Sequence, residues 1–232
     1  MSELAQLSLP VHLRDDATLD NFLFPQGSRA LESSLRQLRS GDSEQFLFLY
    51  GATGSGRSHL LQAACHERQA GDSLYLPLAE LRGIPPMELL QGVETLGLLC
   101  LDDLDVVCGE ADWEEALFHL FNRIREAGGQ LVVSATAAPR SLPLQLEDLR
   151  SRLSWSLVFQ LPEVSDEFRR AVLQFRVQRR GMQLSEESAN YILNRSERSL
   201  SSLMDVLDQL DRASMAAQRP LSIPFVRETL NW

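Results

Sequence analysis

A chain of 232 residues with 44% apolar content is long enough for one large domain or two modest ones, and it is globular rather than disordered in composition. Its net charge of −10 argues against a dedicated, non-specific DNA binder, whose surface has to be basic, although a local basic patch is compatible with it. Apolar runs all fall short of a membrane span, so no membrane association is expected.

The chain opens on Met1-Ser2-Glu3 without the basic region and apolar core of a secretory signal. Cys65, Cys100 and Cys108 have no metal-ligand spacing and cannot all pair, so reduced thiols in a cytoplasmic protein are expected. Residues 1–16 read as a short tail containing Gln6-Leu7-Ser8-Leu9-Pro10-Val11. Apolar residues so near a terminus need a partner, and the pattern leaves two open: an edge strand on the chain's own domain, or an extended peptide docked in another protein's pocket. A helix is expected from about Ser28 to Leu38, and Gly41-Asp42-Ser43 turns the chain into a first apolar strand, Phe46–Tyr50.

That strand runs into Gly51-Ala52-Thr53-Gly54-Ser55-Gly56-Arg57-Ser58, and a helical pattern follows from His59. Strand, glycine loop and helix together are the context of a phosphate-binding P-loop. The glycines let backbone N–H groups curl around an anion, the new helix adds its unsatisfied N–H groups, and Ser58 can offer its hydroxyl to a phosphate-bound Mg²⁺. The motif asks for Lys where Arg57 stands; Arg keeps the charge but presents a planar fork rather than a compact ammonium.

Ser73–Leu78 reads as a second strand, and a short helix around Pro86 leads to the apolar run Leu96–Leu101, which ends in Asp102-Asp103. A strand buried on both faces has this composition, and ligands of open α/β sheets sit at such carboxyl ends. Asp102 stands where a P-loop ATPase holds Mg²⁺ through water; Asp103 stands where a carboxylate orients the attacking water. Asp112 is expected to cap the next helix, which Gly128 ends. Gln130–Thr136 is a fourth strand, with Ser134 and Thr136 placed to orient water or touch a γ-phosphate, and Leu157–Leu161 a fifth. Of Arg150 and Arg152, just before that last strand, either could serve as an arginine finger or as half of a local ion pair. Beyond Pro162 the pattern is helical throughout: 165–180, 185–194, 199–217 and 222–231.

The combination resembles the AAA+ family and, within it, the DnaA/Hda branch, over nearly the whole chain. The most specific matches are Gln6–Val11, Gly56–Leu61, Leu207–Ser214 and Ile223–Glu228. The resemblance implies an α/β AAA+ domain with a five-stranded parallel sheet between helices over residues 17–162, followed by a small all-α lid over 163–232. It implies that the tail, 1–16, docks on the DNA polymerase sliding clamp through Gln6, Leu7, Leu9, Pro10 and Val11, reaching DNA only indirectly. ADP or another adenine nucleotide, with or without Mg²⁺, would be held by Asn21, Phe22, Gly51, Ala52, Thr53, Gly54, Ser55, Gly56, Arg57, Ser58, His59 and Thr136, with Ser58 and Asp102 on the metal. Arg57 is tolerated at its position in that branch. Arg152 matches the finger offered in trans to ATP bound in DnaA. Two features depart from the initiator: Ser201 stands where its lid carries a nucleotide-reaching arginine, with Arg198 about a turn away, and no helix-turn-helix domain is expected after the lid. These expectations describe a regulator of replication initiation that docks on the clamp and promotes hydrolysis of DnaA-bound ATP, with Arg152 and Asp103 as the chemically active residues, its own nucleotide a structural ligand, and homo-oligomers compatible with the family. The alternative is an autonomous AAA+ ATPase such as a helicase loader, which would turn over ATP by itself.

Overall fold

The structure, a computed structural model, describes residues 13–39 and 46–232. The hexapeptide Gln6–Val11 and the turn Gly41–Ser43 lie outside the described residues. In chain order the regular elements are α1 (Arg29–Gln37), β1 (Phe46–Tyr50), α2 (Arg57–His66), β2 (Ser73–Pro77), α3 (Leu78–Leu81), α4 (Pro86–Leu89), β3 (Leu98–Asp102), α5 (Ala111–Glu126), β4 (Gln130–Ala135), α6 (Glu147–Ser154), β5 (Leu157–Gln160), α7 (Asp166–Arg179), α8 (Glu186–Arg195), α9 (Leu200–Ala217) and α10 (Ile223–Leu230).

The five strands make one parallel sheet in the order β2-β3-β4-β1-β5. Period-two alternation sorts each apolar run onto two faces. Phe48, Leu99, Leu101, Leu131 and Val133 face one way, into a core with Trp113, Leu117, Leu120 and Phe121 of α5. Leu47, Leu49, Leu98, Cys100 and Val132 face the other, against Leu31 and Leu35 of α1 and Leu60, Leu61 and Ala64 of α2. β3 and β4 are buried along their whole length, which is why their sequences read as unbroken apolar runs. β2 and β5 are the edge strands, and Leu157 and Val158 on β5 are exposed.

The helices α7 to α10 bury a separate apolar cluster built on Leu173, Ile192, Leu203, Leu207, Leu210 and Val226. Ser165, Ser185 and Ser199 cap α7, α8 and α9, each hydroxyl accepting an N–H from the first turn. The boundaries of the last four helices agree with the pattern to within a residue. Two details differ from the sequence reading. α5 starts two residues earlier than a cap at Asp112 implies, with Glu110 at the cap, so Asp112 sits inside the first turn, where it favours the positive helix end. The apolar stretch after β2 does not stay extended but turns at once into the one-turn helix α3.

Candidate nucleotide site

Three chain segments meet at the carboxyl edge of the sheet because β4 lies between β1 and β3. They are the glycine loop after β1, Asp102-Asp103 at the end of β3 and Thr136 just after β4. Gly54 and Gly56 of the loop have φ of +79° and +98°, a region costly for other residues. Gly56 is needed for space as well, since a Cβ there would stand 2.7 Å from the Phe22 ring. α2 then begins at Arg57 with no side-chain cap, so its first N–H groups are left for a ligand. The lid reaches the same loop: a Cβ on Gly54 would meet the Ser199 side chain at 3.0 Å.

Between these parts lies a cavity of about 450 Å³, within the range of small-molecule and cofactor sites. Asn21, Phe22, Thr53, Gly54, Gly56, Arg57, Ser58, His59, Asp103 and Thr136 line it, as do Ser201, Leu200 and Met204 from the lid. Gly51, Ala52 and Ser55 of the same loop do not line the cavity. Phe22 packs edge-on to Phe24, with ring centroids 4.9 Å apart, and 5.5 Å from the His59 ring, giving one wall an aromatic surface. His59 is tied through Nε2 to the Thr18 carbonyl at 2.9 Å, and burial pushes its pKa down.

The charged groups are arranged less simply than their order in the sequence suggests. Arg57 is buried, and its Nη2 donates to Asp103 at 3.0 Å, with Asp105 3.9 Å from Nη1. Nη1 itself is buried and makes no hydrogen bond among the described residues, an orphan donor in the wall of the cavity. Such a donor fits an anionic oxygen, as the glycine loop and the open start of α2 do. Asp103 has φ of +56°, and burial together with neighbouring Asp102 raises its pKa despite Arg57. Asp102, 1% exposed, is not part of the cavity lining. Its oxygens accept from the Tyr75 hydroxyl at 2.6 Å and from the Ser134 hydroxyl, whose oxygen in turn accepts the Asp103 N–H at 3.0 Å. Ser134 is therefore a brace between the two aspartates, while the Thr136 N–H donates to Asp105 at 2.9 Å.

Of the two arginines ahead of β5, Arg150 is occupied locally. It donates to the Leu142 carbonyl at 2.8 Å and to that of Leu144, and pairs with Glu147 at 3.3 Å. Arg152, two residues on, is half-buried, with its guanidinium carbon 4.3 Å from the centre of the Trp155 ring. In the lid, Ser201 lines the cavity, whereas Arg198 is exposed and 3.7 Å from Asp166.

Arg176 is a charged lining residue that the sequence did not single out. A charged residue in a helix reads as a solvated face, yet this side chain is 4% exposed, donating to the Asn21 carbonyl at 2.8 Å and to Asp16 at 2.5 Å. The lid is thereby tied to the segment before α1. Burial alone would raise the Asp16 pKa, but Arg14 and Arg176 outweigh it and hold the carboxyl below its usual value. Asp16→Ala leaves a buried guanidinium unpaired. Because Asp16 is a third exposed, we expect a loss of about 2–3 kcal/mol, below the range for fully buried pairs, read from urea unfolding midpoints. The lowered pKa sets the sign with pH: the contribution is complete above the ordinary carboxylate range and is lost as pH falls below it, a fall that Asp16→Ala should flatten.

Strand, glycine loop, buried acidic strand end and a helical lid over the loop define an AAA+ nucleotide-binding module. Residues 166–230 match the family model of the Hda lid domain, and residues 87–160 match that of the bacterial DnaA ATPase domain. The fold is similar to domain III of the replication initiation protein DnaA from Thermotoga maritima, with a TM-score of 0.75 at 22% identity, covering 95% of this chain and 98% of that one. It is similar to AMPPCP-bound DnaA from Aquifex aeolicus (TM-score 0.70, 22% identity, covering 85% and 67%). A third similar structure is the Thermotoga maritima RuvB Holliday junction branch migration motor (TM-score 0.63, 15% identity, covering 93% and 71%). Both matched stretches point to the DnaA/Hda branch of AAA+ proteins, and the fold agrees with it. Among the described residues no helix is long and apolar enough to cross a membrane.

Proposed function

We propose that this protein restrains replication initiation by docking on the sliding clamp and promoting hydrolysis of ATP bound to DnaA, with Arg152 supplied in trans. The observation that carries the reading is the contrast between its two basic sites. Inside its own cavity, Arg57 is paired with Asp103, the carboxylate that an ATPase would use to orient water. On the surface, Arg152 has no carboxylate partner among the described residues. A fixed, uncompensated guanidinium is what a neighbouring phosphate needs. The Hda lid match over 166–230 supports the same reading.

An adenine nucleotide, ADP among them, would sit with its phosphates on the glycine loop, the Arg57 Nη1 and the start of α2, and its base toward Phe22. Ser58 would be the nearer metal ligand; Asp102 would have to act from behind Asp103. Bound there, the nucleotide would bridge the P-loop and the lid and fix the angle between them.

Clamp docking is tested by binding to immobilised clamp. Gln6→Ala combined with Leu9→Ala should weaken it at least tenfold, since both the polar contact and one apolar anchor go. An unchanged affinity would remove the tail from the mechanism. The second reading, an autonomous ATPase, keeps the intact glycine loop and Asp102-Asp103 in its favour. It requires steady ATP turnover by the purified chain, lost on Asp102→Ala.

A further inference from the structure

Trp155 follows the last residue of α6 and is 60% exposed, although an indole gains more from burial than almost any other side chain and Trp113 in the same domain is 3% exposed. What lies against it is cationic. The Arg152 guanidinium carbon is 4.3 Å from its ring centroid, and that of Arg125, near the end of α5, is 5.7 Å away. The Phe118 ring, also on α5, is 6.0 Å from the Arg152 guanidinium carbon.

An aromatic face and a carboxylate hold a guanidinium in different ways. A carboxylate neutralises the charge and occupies the N–H fork. A ring face attracts the cation and restricts its rotamers while the in-plane N–H groups stay free. Arg152 therefore keeps both the charge and the donors that a phosphate would meet, and less side-chain freedom remains to be lost on docking.

From this geometry we propose that Trp155 is a positioning residue for Arg152: its indole pre-orders the guanidinium on the surface of the free protein in the conformation used on a partner's phosphate. The proposal rests on the reading of Arg152 as an arginine acting in trans. Trp155 touches no reacting atom in this scheme and acts only through Arg152.

The test uses the full chain with Trp155→Ala, Trp155→Phe and Arg152→Ala. In the free protein, the Arg152 side-chain proton resonances should be shifted upfield by the indole ring current and return to ordinary positions in Trp155→Ala. At saturating concentrations of each variant, Trp155→Ala should lower the rate of DnaA-bound ATP hydrolysis about fivefold, the size of an exposed cation–π contact, and Trp155→Phe should recover most of it. The unfolding midpoint should stay in place. Unshifted Arg152 resonances, or a full rate in Trp155→Ala when Arg152→Ala is slow, would overturn positioning by Trp155 and leave the trans-acting arginine standing. An Arg152→Ala chain as active as the original would overturn both.

Discussion

Arg152→Ala should abolish most of the chain's effect on DnaA-bound ATP, lowering the stimulated rate by about 10³-fold or more while the protein stays as stable as before. The size follows from what the group would do. In the dissociative transition state of phosphoryl transfer, charge spreads over oxygens that a planar cation can bridge, and little of that attraction exists in the ground state. Stability should be spared because the Arg152 side chain forms no ion pair or hydrogen bond among the described residues, while Leu149 and Leu153 of α6 carry its packing. Arg152→Lys should recover only a minor part, since a point charge cannot reproduce the fork. Arg150 is the informative comparison two residues away. It holds the carbonyls of Leu142 and Leu144, so its removal should unsettle the loop before α6 and lower the unfolding midpoint. The assay is single-turnover hydrolysis of labelled ATP preloaded on DnaA, with the clamp on DNA. A drop smaller than tenfold for Arg152→Ala would mean that charge stabilisation comes from elsewhere.

Glu114→Ala should be the most destabilising single change on this face, about 3 kcal/mol, or roughly 6–12 °C in Tm for a chain of this size. Glu114 is 1% exposed on α5 and works as a hub of backbone contacts. It accepts the N–H groups of Gly109 at 2.6 Å, of Gln145 at 2.9 Å and of Leu146 at 2.6 Å. Leu146 is the residue from which α6 starts, so the carboxylate joins the α5 entry loop to the helix that carries Arg152. Alanine would leave three part-buried N–H groups without their acceptor. Water can replace part of the loss, which keeps the expected figure near the cost of one or two of them. Glu114→Gln retains an acceptor oxygen and should cost about 1 kcal/mol. The double readout separates this residue from Arg152. Glu114→Ala should lower Tm and stimulation together, as α6 loses its anchor, whereas Arg152→Ala should lower stimulation alone. Calorimetry on the two variants beside the hydrolysis assay decides it; a Glu114→Ala protein with an unchanged Tm would show that the loops at 109 and 145 hold themselves.

The local part of this molecule was legible in the amino-acid order. Periodicity gave five strands and the four lid helices, because burial of one face or both leaves a regular trace in composition. Gly51–Ser58 announced its loop, since only glycine takes the positive φ that Gly54 and Gly56 adopt. Asp102 and Asp103 could be placed at a strand end for the same reason: an apolar run stops where solvent or a ligand begins. What the order could not give was which charges meet. Asp102 and Asp103 read as a metal ligand and a water-orienting carboxylate side by side, but β3 ends at Asp102 and Asp103 takes φ of +56°, so one is braced by Tyr75 and Ser134 while the other meets Arg57. The sequence singled out neither Arg176 nor Glu114, both charged residues on helices. Their burial depends on segments 160 and 31 residues away, brought over them by the lid and by the loop before α6. Pairing of charges is a property of distance in space, and sequence spacing fixes that distance only within a turn or a strand. Loop, strand ends and helices were therefore determined by the chain itself, and the partners of its arginines and carboxylates were decided by the tertiary structure alone.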